Sequence, residues 1–175
     1  MPSVLIVSDS HGLTEEVQLL KDRHAHEVDG MIHCGDSELD YKSAEMDAYI
    51  KVKGNCDFDD EYPEEVQESI QNMSFFVTHG HLFRVKSTLM PLSYRAEERG
   101  AQIICFGHSH IAGAEMVDGK LFINPGSIRL PRNHPEKTYA IVSWNEEQSV
   151  RVQFYNDQGE VIPGLTYETT FLGRS

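Results

Sequence analysis

Short aliphatic runs alternate with polar loops along the first two thirds of the chain. Ser3 to Ser8 (SVLIVS) is β-branched and uninterrupted, the pattern of a strand buried on both faces. It runs into Asp9-Ser10-His11-Gly12, a turn signal. Thr14 suits a helix cap, with Val17, Leu20 and His24 at helical spacing behind it. Met31 to Cys34 predicts a second strand, closed by Gly35-Asp36. Ala44 to Tyr49 predicts a weak helix, and Tyr49 to Val52 a third strand that ends at Gly54-Asn55-Cys56-Asp57. After an acidic loop over Asp57 to Glu65, Ser74 to Thr78 predicts a strand ending at His79-Gly80-His81. Ser87 to Arg99 predicts a helix with Pro91 in its first turns. Ile103 to Phe106 predicts a strand ending at Gly107-His108-Ser109-His110.

The last third loses the helical pattern. Ala114 to Val117, Leu121 to Asn124, Thr138 to Trp144 and Val150 to Tyr155 predict strands, with turns at Asp118-Gly119 and Asn145-Glu146. The fold class is α/β: two mixed β-sheets packed face to face and flanked by helices, in one domain over residues 1–175. Residues 156–175 have weak pattern and are expected to form a terminal hairpin or a tail.

Composition narrows the function. At 175 residues, 39% apolar and 25% charged, the chain can bury one continuous core. The aliphatic runs are about four residues long, far below the ~18 that span a membrane. The start, Met1-Pro2-Ser3, has no basic region ahead of a long apolar run, so a cytoplasmic location is expected. Cys34, Cys56 and Cys105 form no CxxC pair, which argues against a disulfide framework or a thiolate zinc site. A net charge of -13 repels a polyphosphate backbone, so long nucleic acid is not the expected partner. Phosphate handled on such a surface needs local neutralisation, which a bound metal supplies.

Five strand ends carry Asp9/His11, Asp36, Asn55, His79 and His108/His110. Ligand-binding groups in α/β folds collect beyond the carboxyl ends of strands. Asp and Asn are also ordinary turn formers, so each position alone has an innocent reading. Five in succession, built from carboxylate, carboxamide and imidazole, do not. Residues two apart in extended backbone point the same way, which lets Asp9 and His11, and likewise His108 and His110, face one site. Oxygen and nitrogen donors suit Mn, Fe or Zn. Seven donors exceed one tetrahedral ion and fit two ions sharing a carboxylate, the clamp used for displacement at phosphorus.

These motifs, DSH at Asp9 to His11, GD at Gly35-Asp36, GNCD at Gly54 to Asp57, THGH at Thr78 to His81 and GHSH at Gly107 to His110, resemble those of the calcineurin-like metallophosphoesterases. Asn124-Pro125-Gly126-Ser127 resembles the small single-domain YfcE-type branch of bacterial and archaeal phosphodiesterases. The resemblance implies a four-layer metallophosphoesterase sandwich. It implies that Asp9, His11 and His110 bind one ion, that Asn55, His79 and His108 bind another, and that Asp36 bridges them and holds a hydroxide. Two divalent ions are implied, Mn first, with Fe, Zn or Ni as alternatives. The implied reaction is in-line attack of that hydroxide on a small phosphodiester.

Many larger members carry a histidine where this chain has Cys56. With a metal hydroxide available, Cys56 is read as a pocket residue, neither nucleophile nor ligand, with weak acid as the alternative. Poor proton donation favours leaving groups that depart as stable anions. Asp57 is a candidate to orient a ligand histidine, with capping as the alternative, and His81 a candidate substrate contact. Arg129 and Arg132 are candidates for holding a phosphate oxygen, with surface pairing as the alternative. His33 is expected to hydrogen-bond in the core, Cys105 to be a small buried hydrophobe, and His24, His26 and His134 to be solvated. No serine has a free base beside it, so no nucleophilic side chain is expected. The alternatives in function are a protein-interaction scaffold, since the retromer scaffold subunit shares the fold, and a phosphomonoesterase or nuclease. A homo-oligomer is also compatible with the sequence.

Overall fold

A computed structural model of the chain describes residues 1–171. The part of the expected tail at 172–175 lies outside the described residues. The chain begins with strand β1 (Ser3–Val7), helix α1 (Glu15–His24), β2 (Gly30–His33) and β3 (Tyr49–Lys51). It continues through β4 (Glu65–Ile70), β5 (Met73–Thr78), α2 (Met90–Arg99) and β6 (Ile103–Cys105). It closes with β7 (Gly113–Val117), β8 (Lys120–Asn124), β9 (Thr138–Trp144), β10 (Ser149–Asn156) and β11 (Tyr167–Thr170).

One sheet has the order β11-β10-β9-β1-β2-β3, and the other β4-β5-β6-β8-β7. β1, β2 and β3 run parallel, as do β5, β6 and β8, while the flanking strands are antiparallel. Ile6, Ile32, Phe75, Val77, Ile103 and Ile123 meet between the sheets. α1 covers the outer face of the first sheet, where Val17 and Leu20 join Leu5, Val7 and Tyr139. α2 covers the outer face of the second, where Leu92 and Ala96 join Phe76, Ile104 and Phe122. β1 is therefore buried along its whole length, which accounts for its unbroken aliphatic sequence.

α1 places Glu15 and Glu16 in its first turn and Lys21, Arg23 and His24 in its last, matching the helix dipole. α2 begins at Met90 rather than Ser87, with Pro91 in its first turn, where its missing N–H costs nothing. It stops at Gly100, whose φ of 66° lets its N–H reach the carbonyls of Ala96 and Glu97.

Several expectations are corrected. The weak helix over Ala44 to Tyr49 is one 3₁₀ turn, Ala44–Met46. β4 is a strand with no aliphatic run: EVQESI lies at the sheet edge, where among the described residues it pairs only with β5, and Gln67, Glu68 and Ser69 are exposed. β10 pairs antiparallel with β11. His24 is buried rather than solvated, with Nδ1 on Glu27 at 2.9 Å and Nε2 on Tyr139 at 2.8 Å. His33 and Cys105 are buried as expected. Among the described residues no helix is long and apolar enough to cross a membrane.

Candidate metal centre

The parallel strands β1, β2 and β3 of one sheet and β5 and β6 of the other deliver the five polar motifs from their carboxyl ends. Backbone bonds stitch the loops together: Asp9 N–H donates to Gly35 O at 3.0 Å, His11 N–H to Asp36 O at 2.9 Å, and Gly107 N–H to His79 O at 3.0 Å. Spacing by two works differently from the extended geometry expected of it. Asp9, His11, Asp36, His108 and His110 all have positive φ, between 41° and 71°. That backbone is uncommon for residues with a Cβ, and it aims the side chains through turns rather than along a strand.

The loops also approach too closely for side chains at several glycines, two of them against the carboxylates. A Cβ on Gly54 would lie 2.0 Å from Asp36 Oδ1. One on Gly107 would lie 2.1 Å from Ser8 Oγ and 2.4 Å from Asp9 Oδ2. Glycine at both positions is what lets the carboxylates reach the centre.

Three imidazoles have Nδ1 tied back and Nε2 pointing in. His79 Nδ1 is 2.8 Å from Cys34 O, His110 Nδ1 is 2.7 Å from Leu130 O, and His11 Nδ1 is 2.8 Å from Glu38 Oε1. Such partners fix ring orientation and leave the other nitrogen as a donor to a cation. All three Nε2 atoms surround Asp9 Oδ1, at 3.2 Å for His110 and 3.7 Å for His11 and His79. Asp9 Oδ2 is satisfied by Ser8 Oγ at 2.6 Å and His108 N–H at 3.1 Å. Asp9 Oδ1 is fully buried and has no hydrogen-bond partner among the described residues. A buried carboxylate oxygen left open among imidazole nitrogens fits a cation.

Ligand atoms of Asp9, His11 and His110 lie within 4.8 Å of one another, as do those of Asp9, Asp36 and His79. Asp36 Oδ2 is 3.1 Å from His79 Nε2 and 3.9 Å from His11 Nε2, so it faces both sets. Asn55 Oδ1 is 3.1 Å from His79 Nε2. His108 packs against His79 with ring centroids 5.1 Å apart, but it joins neither cluster.

The charges are strongly coupled. Burial would raise the Asp9 carboxyl, but His11, His110, His79 and Ser8 hold it well below the carboxylate range. Asp9 raises His11 to about 9, with burial opposing and Glu38 adding to the rise. Burial opposes protonation of His79, but Asp36 and Asp9 raise it. His108 is pushed down to about 4 by burial, His79 and Lys86.

The remaining candidates fall in different places. Cys56 Sγ lies within 4.8 Å of donor atoms of His11 and Asp36, closer to the centre than a bystander. Burial, then Asp36 and Glu38, push its thiol up to about 11, so it is neutral at pH 7. Asp57 orients backbone rather than a histidine: it accepts the N–H groups of Asp36, Glu38 and Gly54 at 2.9, 2.8 and 2.7 Å. His81 packs on His79, with Nδ1 buried and without a hydrogen-bond partner among the described residues. Arg129 donates to the His11 carbonyl, and the Arg132 N–H donates to the His110 carbonyl at 3.0 Å. Arg129 thus braces a candidate ligand loop with its guanidinium, and Arg132 through its backbone.

Two roles were not read from the sequence. Glu38 holds His11 across 27 positions, and nothing in GDSE separates it from a surface acid. The NPGS turn joins the loops: Asn124 Nδ2 donates to Gly107 O at 3.3 Å and Ser109 Oγ at 2.9 Å, and Ser127 Oγ donates to Asp9 O at 2.7 Å.

Known proteins share this arrangement of the chain. The family model of the calcineurin-like phosphoesterase superfamily domain matches residues 3–147. The probable metallophosphoesterase YsnB of Bacillus subtilis is 51% identical over 168 residues, covering 96% of this chain and 99% of that protein. The crystal structure of a predicted phosphoesterase from Streptococcus pneumoniae TIGR4 superposes with a TM-score of 0.93 at 37% identity, covering 97% of each chain. Phosphodiesterase YfcE of Escherichia coli K12 is 26% identical over 117 residues, covering 62% of this chain and 58% of that protein.

Proposed function

Because the chain belongs to the calcineurin-like phosphoesterase superfamily, we propose that it is a metal-dependent phosphodiesterase acting on small phosphodiesters. The observation that carries this reading is Asp9 Oδ1, buried amid three imidazole nitrogens with no hydrogen-bond partner among the described residues. Asp9, His11 and His110 would hold one divalent cation, Asn55, His79 and His108 a second, and Asp36 both. Mn is the first choice, with Fe, Zn or Ni as alternatives. When bound, such cations supply Lewis-acid stabilisation of phosphoryl oxygens and acidify water.

The protein's own part is positioning. Cys34 O, Leu130 O and Glu38 fix three rings, and the Cys56 N–H on Asp36 Oδ1 at 2.8 Å fixes the shared carboxylate. The neutral Cys56 thiol is a poor proton donor to a departing oxygen. Aryl leaving groups should therefore be cleaved faster than alkyl ones. Three free cysteines are in keeping with a cytoplasmic location.

The test is to strip the protein of metal, reload it with Mn, Fe, Zn or Ni, and assay bis(p-nitrophenyl) phosphate beside an alkyl diester. Reloading should restore aryl turnover, and Cys56→His should narrow the gap to the alkyl substrate. Equal kcat/KM for both esters would sink the leaving-group argument. Tight metal binding with no ester turnover would favour the scaffold instead.

A further inference from the structure

A cavity of about 650 Å³ opens beside the metal centre, within the roughly 300–1,000 Å³ of small-molecule sites. Its wall includes Ser109, which lies between His108 and His110. Its floor is apolar: Phe106 and Phe122 pack edge to face at 6.5 Å, and Leu89 joins them. Lys86 and Arg132 also line it, both exposed. The Arg132 backbone N–H donates to the His110 carbonyl at 3.0 Å, which ties this part of the lining to the candidate ligand loop. On a chain of net charge -13, Lys86 and Arg132 outnumber the one carboxylate on this lining, Glu115, and leave a local sign opposite to that of the whole.

We propose that this cavity holds the organic substituent of the phosphodiester, and that it selects a ring-bearing substituent with a second phosphate of its own. The inference rests on the phosphodiesterase reading above. The apolar floor takes the ring, and Ser109 and Glu115 on the wall offer partners for its polar edges. Lys86 and Arg132 take the second phosphate. Gly113 also borders the cavity, and a Cβ there meets nothing within 4 Å, so the wall has room to be filled.

The probes are three p-nitrophenyl diesters: methyl p-nitrophenyl phosphate, thymidine 5′-(p-nitrophenyl phosphate), and the same nucleotide carrying a 3′-phosphate. The 3′-phosphorylated ester should have the highest kcat/KM. Lys86→Gln with Arg132→Gln should lower its kcat/KM relative to the 3′-hydroxyl ester by about tenfold, the loss of a charge-assisted bond. Gly113→Leu should lower both nucleotide esters relative to the methyl ester. Ratios that do not move in these variants overturn the proposal. A second readout needs no turnover: calorimetric binding of thymidine 3′,5′-bisphosphate to the Mn-loaded protein, weakened by the same variants. Binding of this kind without hydrolysis of any ester would keep the cavity assignment and reject the esterase reading. Hydrolysis of the methyl ester with no such binding would do the reverse.

Discussion

Gly54 shows how little separates a turn from a candidate metal site. Its missing Cβ is the space Asp36 occupies, so Gly54→Ala should displace the Asp36 carboxylate. A shift of that order should cost roughly 100-fold in kcat/KM, with the metal content falling in parallel. Turnover and metal content equal to wild type would show that the loop relaxes freely. His33 carries a second prediction. Gly35 N–H donates to its Nδ1 at 3.1 Å, which puts the ring proton on Nε2, facing Ser10 Oγ at 2.9 Å. Burial pushes its pKa down to about 4, against the pull of Asp9. The unfolded imidazole, with a pKa of 6.5, therefore binds more protons than the folded one between these two pKa values. Stability from the neutral ring is complete above about pH 6.5 and falls as pH drops towards 4, by an amount on the order of 3 kcal/mol. Urea midpoints at pH 7 and pH 4.5 should diverge less in His33→Asn than in wild type. At this scale the sequence was informative wherever a residue's chemistry was unusual for its position. It was silent where a common residue acquires its role through a distant partner, as Glu38 does with His11.

Strands and helices were legible in proportion to their burial. β1, β5, β6 and β9 are filled with apolar residues because both sides are covered, so their runs stand out. β4 was invisible because an edge strand needs no continuous apolar face. It is held from its polar side instead. Glu65 on β4 accepts from Arg95, and from Arg99 at 2.6 Å, both on α2. Arg95 leads in lowering the Glu65 carboxyl, burial opposes it, and Arg99 adds to the fall. A lowered folded-state pKa gives stability above the unfolded value of about 4.3, lost as pH falls through the folded one. Glu65→Gln should therefore lower the thermal midpoint at pH 7 and converge on wild type in acid. A constant offset across pH would assign the loss to packing rather than charge.

Across the whole molecule, the site is made by two sheets that contribute separately. Asp9, Asp36 and Asn55 follow strands of one, and His79, His108 and His110 follow strands of the other. The order of motifs in the sequence named the candidate ligands but not this division, because strand pairing depends on contacts far apart in the chain. The central core between the sheets is apolar and non-directional, whereas the centre at their common end is built from a few directed bonds. Cations bound by groups from both sheets would act there as a rivet. Removing them should leave the core folded while the rim at residues 53–64 and 107–112 works loose, so a protease should nick the stripped protein at these loops first. Reloading with Mn should restore resistance in step with occupancy, and identical cleavage patterns with and without metal would show that the sheets hold this end closed unaided. If the rivet holds, the protein's lifetime in a protease-containing cell becomes a readout of how much metal that cell can spare.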